Sequence, residues 1–211
     1  MELLLIRHGL PVRREVADGP ADPELAPQGH AQAEHMANYL STERIDAVYT
    51  SPLRRASETA APLARAFGLD PVVEEDVAEY DRHASEYVPM EELKASGDPR
   101  FHEFTSGLEF ATGVGLDDHE EFRDRVLSSL GRIIEAHPSQ TVAVVCHGGV
   151  INLFLASILG LALDPPGFFY PNYTSINRVA ASRSGVRSIV TVNETAHLRH
   201  TGLPMGLFQT G

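Results

Sequence analysis

The sequence predicts an α/β protein, a three-layer α/β/α sandwich with a mostly parallel central sheet and an inserted cap. Two segments carry the expectation. Residues 3–9 read Leu-Leu-Leu-Ile-Arg-His-Gly, and residues 142–149 read Val-Ala-Val-Val-Cys-His-Gly-Gly. Unbroken apolar runs of this length suit strands buried on both faces, which occur in parallel sheets covered by helices. Each run ends abruptly at a histidine followed by glycine. In open α/β sheets the ligand crevice lies at the strand C-termini, so the two tips are expected to meet in one site.

The remaining elements follow in chain order. Residues 10–26 hold Pro11, Gly19, Pro20 and Pro23 and read as a loop over the first strand tip. Pro27 can open a helix at its first position, and residues 27–41 place Ala33, Met36, Ala37 and Leu40 on one face. Ile45 to Tyr49 reads as the second buried strand. Thr50 and Ser51 offer an N-cap for a helix that runs to Phe67, is kinked by Pro62 and stops at Gly68. A short strand is expected around Pro71 to Val73. Residues 74–116 mix acids, aromatics and glycines, with a helix near 89–96, and are read as the cap. Asp117 or Asp118 caps the next helix, which runs to about Ala136 and delivers the strand 141–146. Gly148 and Gly149 open a helix through Leu159. Residues 176–183 and 186–192 form a hairpin turning at Ser184 and Gly185. The tail from 195 onward is expected to be loosely held. The reading is one domain over residues 1–211, with the cap-like insertion about 74–116.

Composition narrows the function classes. A net charge of −12 argues against nucleic acid, which binds Lys and Arg fields, and against anionic membrane surfaces. No apolar run is long enough to span a bilayer. The single cysteine, Cys146, makes no internal disulfide and fits a reducing compartment. No secretory signal is readable at the N-terminus, so a cytoplasmic location is expected. Lys94 is the only lysine among 17 basic residues. Arginine suits bidentate phosphate contacts, although the bias also fits genome base composition.

Two histidines in a crevice beside arginines suggest phosphoryl chemistry. Such a site needs a nucleophile, cations for the non-bridging oxygens and an acid for the leaving oxygen. His8 can attack only as neutral imidazole, and Arg7 should depress its pKa. Ser51-Pro52-Leu53-Arg54-Arg55-Ala56 adds a helix N-terminus suited to phosphate. One of Arg54 and Arg55 should point into the crevice, with Arg54 the solvated neighbour paired with Glu58. His147 closes the set. A cysteine phosphatase would want an arginine six residues after Cys146, where Asn152 stands, so Cys146 reads as a buried thiol. The run Asp117 to Glu121 reads as a solvated cap. His197 and His200 lack a third metal ligand, and no glycine precedes the only lysine, Lys94, so no Walker loop is possible. No metal or other cofactor is expected.

The chain resembles the histidine phosphatase superfamily, the phosphoglycerate mutase-like fold. The match rests on Arg7-His8-Gly9, on Leu25 to Ala33 with Gly29 and Gln32, and on Ser51-Pro52-Leu53 with Arg55, Ala56, Thr59 and Ala60. Val77-Ala78-Glu79 and Cys146-His147-Gly148-Gly149 complete it. The resemblance implies a phosphohistidine on His8 and a phosphate pocket of Arg7, His8, Arg55 and His147. It implies Glu79 as general acid and base, with Asp81 as the rival. Departures from the mutase pattern are Leu10-Pro11 after Gly9, Arg14 where many members carry asparagine, and a cap with only Arg82, Lys94 and Arg100 amid acids. They favour a phosphatase on a small phosphorylated metabolite. The alternatives are phosphoglycerate mutase-type transfer and a non-catalytic phospho-ligand binding protein. Arg13, Arg14, His83, Tyr87 and Gly148 are the candidates for substrate contacts. The aromatics Tyr80, Tyr87, Phe101, Phe104, Phe110, Phe168, Phe169 and Tyr170 would suit a ligand with apolar surface or a homodimer interface equally well.

Overall fold

The computed structural model describes residues 1–106, 116–162, 169–208 and 211. A six-stranded sheet forms the middle layer. Its strands are β1 (Glu2–Arg7), β3 (Ala47–Thr50), β4 (Val72–Val73), β6 (Thr141–Cys146), β7 (Ile176–Ala181) and β8 (Arg187–Glu194), in spatial order β4-β3-β6-β1-β7-β8. The first four are mutually parallel, and β7 and β8 add an antiparallel hairpin at the β1 side. A second, two-stranded sheet pairs β2 (Arg14–Glu15) with β5 (Glu86–Tyr87). It ties the loop over the first strand tip to the segment after β4, a link that two-residue strands leave invisible in the sequence pattern.

Helices cover both sheet faces. Helices α1 (Pro27–Leu40) and α2 (Arg54–Phe67) pack Met36, Leu40, Ala56, Ala60 and Leu63 on Leu4, Ile6, Val48 and Val145. On the other face lie α5 (His119–Ala136) and α6 (Gly148–Leu159), whose Phe122, Val126, Leu130, Ile151 and Phe154 meet Leu3, Leu5, Val142 and Val144. Successive β1 residues thus feed opposite cores, which is why the run is apolar throughout. Two further helices, α3 (Met90–Ser96) and α4 (Pro99–Ser106), lie between β5 and α5. The sequence pattern shows only the first of them.

Helix ends are satisfied mostly as the residue types dictate. Pro27 opens α1, Gly68 closes α2 in the left-handed conformation, and the Asp118 carboxylate accepts from the Glu120 and Glu121 N–H groups. Helix α2 runs through Pro62 without interruption. Its N-cap is Leu53, not Thr50 or Ser51. The Ser51 hydroxyl sits too early to reach the first turn, and Asp22 accepts from Arg54 N–H at 2.8 Å instead.

The tail is not loosely held. His197 and Leu198 are buried, as are Met205 and Leu207. The Met205 carbonyl accepts from Tyr173 N–H at 2.8 Å, and the Gln32 amide donates to the Pro204 carbonyl. Four apolar or half-apolar side chains without helical or strand periodicity suffice to anchor it. Leu198→Ala should therefore lower stability by about 2–5 kcal/mol, the usual cost of emptying a buried leucine site. Chemical denaturation measures this directly, and an unchanged midpoint would mean that the tail contributes nothing to the fold.

Candidate active site

The pairing of β1 with β6 sets Arg7 opposite Cys146, so the next residues, His8 and His147, lie side by side with ring centroids 5.1 Å apart. His8 N–H donates to the Cys146 carbonyl at 2.9 Å. Its Nδ1 lies 2.7 Å from the Gly9 carbonyl. A carbonyl can only accept, so Nδ1 carries the hydrogen and Nε2 keeps its lone pair. Gly9 N–H in turn donates to Thr59 Oγ1, and Thr59 Oγ1 donates to the Arg55 carbonyl, pinning the β1 tip to α2. A Cβ at Gly9 would lie 2.7 Å from the Gly29 carbonyl oxygen, so the crossing of this loop with α1 requires glycine.

Two guanidinium groups flank the histidines. Arg7 donates from Nη1 to the Pro171 carbonyl at 2.7 Å and lies 4.3 Å from the centre of the Tyr173 ring. Arg55, 1% exposed, donates to Asp81 Oδ1 at 2.7 Å and covers the Tyr87 ring at 4.7 Å. Burial, then Arg55 and Arg7, hold the His8 pKa well below its ordinary value. Burial, Arg55 and His8 do the same for His147. Both imidazoles are therefore neutral near pH 7. His147 Nε2 meets Ser51 Oγ at 2.7 Å. Three buried nitrogens, Arg7 Nε, Arg55 Nε and His147 Nδ1, have no hydrogen-bond partner within the protein. Buried unpaired nitrogens on two cations beside a third group form a site for an anion.

Glu79 sits at the N-terminus of α6. Its Oε2 accepts from Gly149 N–H at 2.8 Å, and a Cβ on Gly149 would collide with the carboxyl group. Burial first, and Asp81 second, push its pKa up to about 7. The segment carrying Glu79 is clasped by Arg125 of α5. That guanidinium donates to the carbonyls of Asp76 at 2.9 Å, Ala78 at 2.7 Å and Glu79 at 3.3 Å. It is itself paired with buried Asp117, whose other oxygen accepts from Arg82 Nε at 3.0 Å and whose N–H donates to the Tyr80 carbonyl at 2.8 Å.

The expected pocket residues Arg7, His8, Arg55 and His147 thus gather at one place, with Glu79 beside α6. Arg54 turns away to Glu58 and Glu24, as expected. Tyr87 lies under Arg55, and a Cβ on Gly148 would be 3.8 Å from Arg7 Nε. Arg13 and Arg14 are drawn off to Glu86 and Glu24, and His83 is exposed. Of the aromatics, Tyr170 faces Arg7 at 5.7 Å and Tyr80 packs edge-on against Phe122. Phe110, Phe168 and the Phe104 side chain lie outside the described residues. The pairing of Ser51 with His147, the places of Tyr173, Asp117 and Arg125, and the exclusion of a side chain at Gly149 escape sequence reasoning. Only Gly149 leaves a trace, the doubled glycine after His147. Burial pushes the Cys146 thiol pKa up, consistent with an inert buried group. Among the described residues no group of three His, Cys, Asp or Glu could hold a metal ion, and no helix is long and apolar enough to cross a membrane.

Comparison with known proteins agrees with this geometry. The model of the histidine phosphatase superfamily (branch 1) matches residues 3–195. A bifunctional protein of Mycobacterium tuberculosis is 34% identical over 204 residues, covering 93% of this chain and 54% of its own length. The chain thus spans about half the length of the mycobacterial relatives it matches. Phosphoserine phosphatase 1 of Hydrogenobacter thermophilus is 31% identical over 171 residues, covering 78% of this chain and 79% of that protein. A crystal structure of a phosphoserine phosphatase mutant from Entamoeba histolytica in complex with phosphoserine superposes with TM-score 0.70 at 25% identity, covering 93% of this chain and 98% of the other. The alpha-ribazole phosphatase of Shigella flexneri, 21% identical with TM-score 0.69 and the same coverage of both chains, shares the fold. With a family model matching nearly from end to end, and the two histidine-bearing strand tips brought together, the chain belongs to the histidine phosphatase superfamily, branch 1.

Proposed function

We propose that the chain is a metal-independent phosphomonoester hydrolase acting on a small phosphorylated metabolite through a phosphohistidine on His8. The observation that carries this reading is the set of buried unpaired nitrogens on Arg7, Arg55 and His147 around a neutral His8 whose Nε2 lone pair is available. Nε2 attacks phosphorus in line, the bond from phosphorus to the ester oxygen breaks, and Glu79 gives its proton to the departing alkoxide. Water then attacks the phosphohistidine. The Glu79 carboxylate takes a water proton, the bond from nitrogen to phosphorus breaks, and His8 and protonated Glu79 are restored as inorganic phosphate leaves. The guanidinium groups hold the transferring charge throughout, the largest electrostatic contribution such a site makes. The Ser51 hydroxyl accepts from Leu53 N–H at 3.2 Å, so its own proton can go to His147 Nε2, leaving Nδ1 as a donor to phosphate.

Glu79 is preferred to Asp81 as the acid because Asp81 is engaged by Arg55, whereas Glu79 has a raised pKa. Hydrolysis is preferred to mutase-type transfer because the basic groups after β4 are committed. Arg82 is paired with Asp117 and Glu121, Arg100 with Asp98 and Glu86, and Lys94 donates to the Leu207 carbonyl. A second phosphate has no cation waiting for it among these residues. A purely binding role is disfavoured by the presence of both a nucleophile and an acid.

His8→Ala should abolish phosphate release from a phosphomonoester panel assayed in EDTA, while the melting temperature stays close to that of the parent protein. Turnover near the parent rate would end the phosphohistidine reading. The pH profile should be one-sided. For a substrate already dianionic, kcat/KM should fall about tenfold per pH unit above about 7, because the acid must be protonated when the ester arrives. No fall from His8 protonation should appear near pH 6, since its pKa lies well below the ordinary value. Arg125→Gln should lower kcat/KM for alkyl esters about tenfold more than for p-nitrophenyl phosphate, whose leaving group needs no proton. Arg125→Lys should recover part of the loss. An equal loss on both ester types would make Arg125 merely structural.

A further inference from the structure

The phosphate pocket ends at Tyr173, and the next polar group along that wall has the opposite character. Glu91, in the first turn of α3, accepts the Tyr173 hydroxyl on Oε2 at 2.9 Å. Its Oε1 is buried and has no hydrogen-bond partner. The Tyr173 ring itself lies 4.3 Å from the Arg7 guanidinium carbon and 6.0 Å from the His8 ring. Glu91 therefore stands one phenol ring beyond the phosphate-binding groups. It is within the field of Arg7, Tyr87 and Tyr170, yet it makes no ion pair with any described cation.

A buried carboxylate oxygen without a donor is costly, and proteins rarely leave one without a purpose. No neighbouring cation is bonded to Glu91 Oε1. Arg7 is held by the Pro171 carbonyl and Arg55 by Asp81. Lys94, one turn further along α3, is held by the Leu207 carbonyl and the Phe208 ring. The Tyr170 hydroxyl is no rival donor, since it lies against Arg7 and the Leu207 backbone. Holding α3 to the core requires only the Glu91 oxygen that Tyr173 already uses, so the other has no structural duty.

We propose that Glu91 Oε1 is a subsite for the alcohol part of the substrate, taking an N–H or O–H donor close to the phosphate ester and disfavouring a second anionic group. This rests on the phosphomonoester reading above. The unpaired nitrogens of Arg7, Arg55 and His147 suit the phosphate, and the unpaired oxygen of Glu91 suits a donor at the other end. The site thus changes sign along its length. An ammonium group forms a charge-assisted bond to the carboxylate, about twice as strong as the neutral bond from a hydroxyl.

The test measures binding in the His8→Ala protein, where turnover does not interfere. Affinities for aminoethyl, hydroxyethyl and ethyl phosphate are compared by calorimetry, with inorganic phosphate as the reference for the phosphate pocket alone. Aminoethyl phosphate should bind at least about tenfold more tightly than ethyl phosphate, with hydroxyethyl phosphate between them. Adding Glu91→Gln should bring the aminoethyl to ethyl ratio close to one. The two donor-bearing esters decide which donor the subsite takes. Equal affinity of all three esters, or a ratio that survives Glu91→Gln, would overturn the subsite while leaving the phosphate pocket intact. A uniform change across all esters in Glu91→Gln would make the carboxylate only a latch for α3 and equally overturn it. Failure of every ester and of inorganic phosphate to bind would instead strike at the phosphomonoester reading itself.

Discussion

The register between β1 and β6 is the constraint on which the rest of the molecule depends. With Leu3 opposite Val142 and Arg7 opposite Cys146, both strands end at the same level and their histidines emerge side by side. A slip of one residue would exchange the two faces of β1, sending Leu3 and Leu5 into the core built for Leu4 and Ile6. It would also part His8 from His147. On the other side of β1, β7 runs antiparallel and begins where β1 ends. The segment entering β7 therefore arrives at the same tip. It supplies the Pro171 carbonyl to Arg7, the Tyr173 ring beneath that guanidinium and Thr174 N–H near the His8 carbonyl at 3.4 Å. Thr174 adopts φ 52°, unusual for a β-branched residue, and its hydroxyl lies 3.0 Å from His197 of the packed tail. The left-handed Thr174 is thus held by a contact from the packed tail.

Burying this many polar groups sets the charge state of each. Burial first, and the two neighbouring cations second, keep both imidazoles neutral, because a further positive charge there would be desolvated as well as repelled. Glu79 feels the reverse pressure. Burial and Asp81 favour its protonated form, while Gly149 N–H and Arg55 oppose them, and the balance settles at about 7. A carboxyl whose pKa is raised in the folded protein stabilises the fold at acid pH, and that contribution is lost as pH rises through about 7. Near neutrality the protein therefore accepts a less stable carboxyl in return for one that can both give and take a proton.

What was legible in the sequence were the features that depend on neighbours in the chain. The apolar runs with their His-Gly ends gave the buried strands and the two histidines. The choice of Arg55 over Arg54 followed from helical spacing to Glu58 together with the family pattern. What escaped were pairings between residues far apart in sequence. Asp117 reads as one more acid in a helix cap, yet it is buried between Arg82 and Arg125, and nothing local marks it. The cap on α2 comes from Asp22, 32 residues before the N–H it binds. The two-residue strands β2 and β5 are too short to leave an alternating pattern. The tail is anchored by isolated apolar side chains, which carry no period to detect.

These two kinds of feature divide the labour of the site. The groups proposed to bind phosphate come from strand tips and the first turn of α2, elements whose positions are fixed by sheet register and by packing in two cores. Glu79 is fixed by a different device, a clasp from α5 and the N-terminus of α6. Tyr87 and Glu91, next to that proposed pocket, come from β5 and α3, outside the six-stranded sheet. They touch the core through few bonds, Tyr87 through Arg55 and Glu91 through Tyr173. Substitutions there leave the strand register that aligns His8 with His147 untouched. On the proposed reading such a fold can keep its phosphoryl chemistry while the neighbouring wall changes, because the two histidines and the residues of β5 and α3 are held by separate parts of the chain.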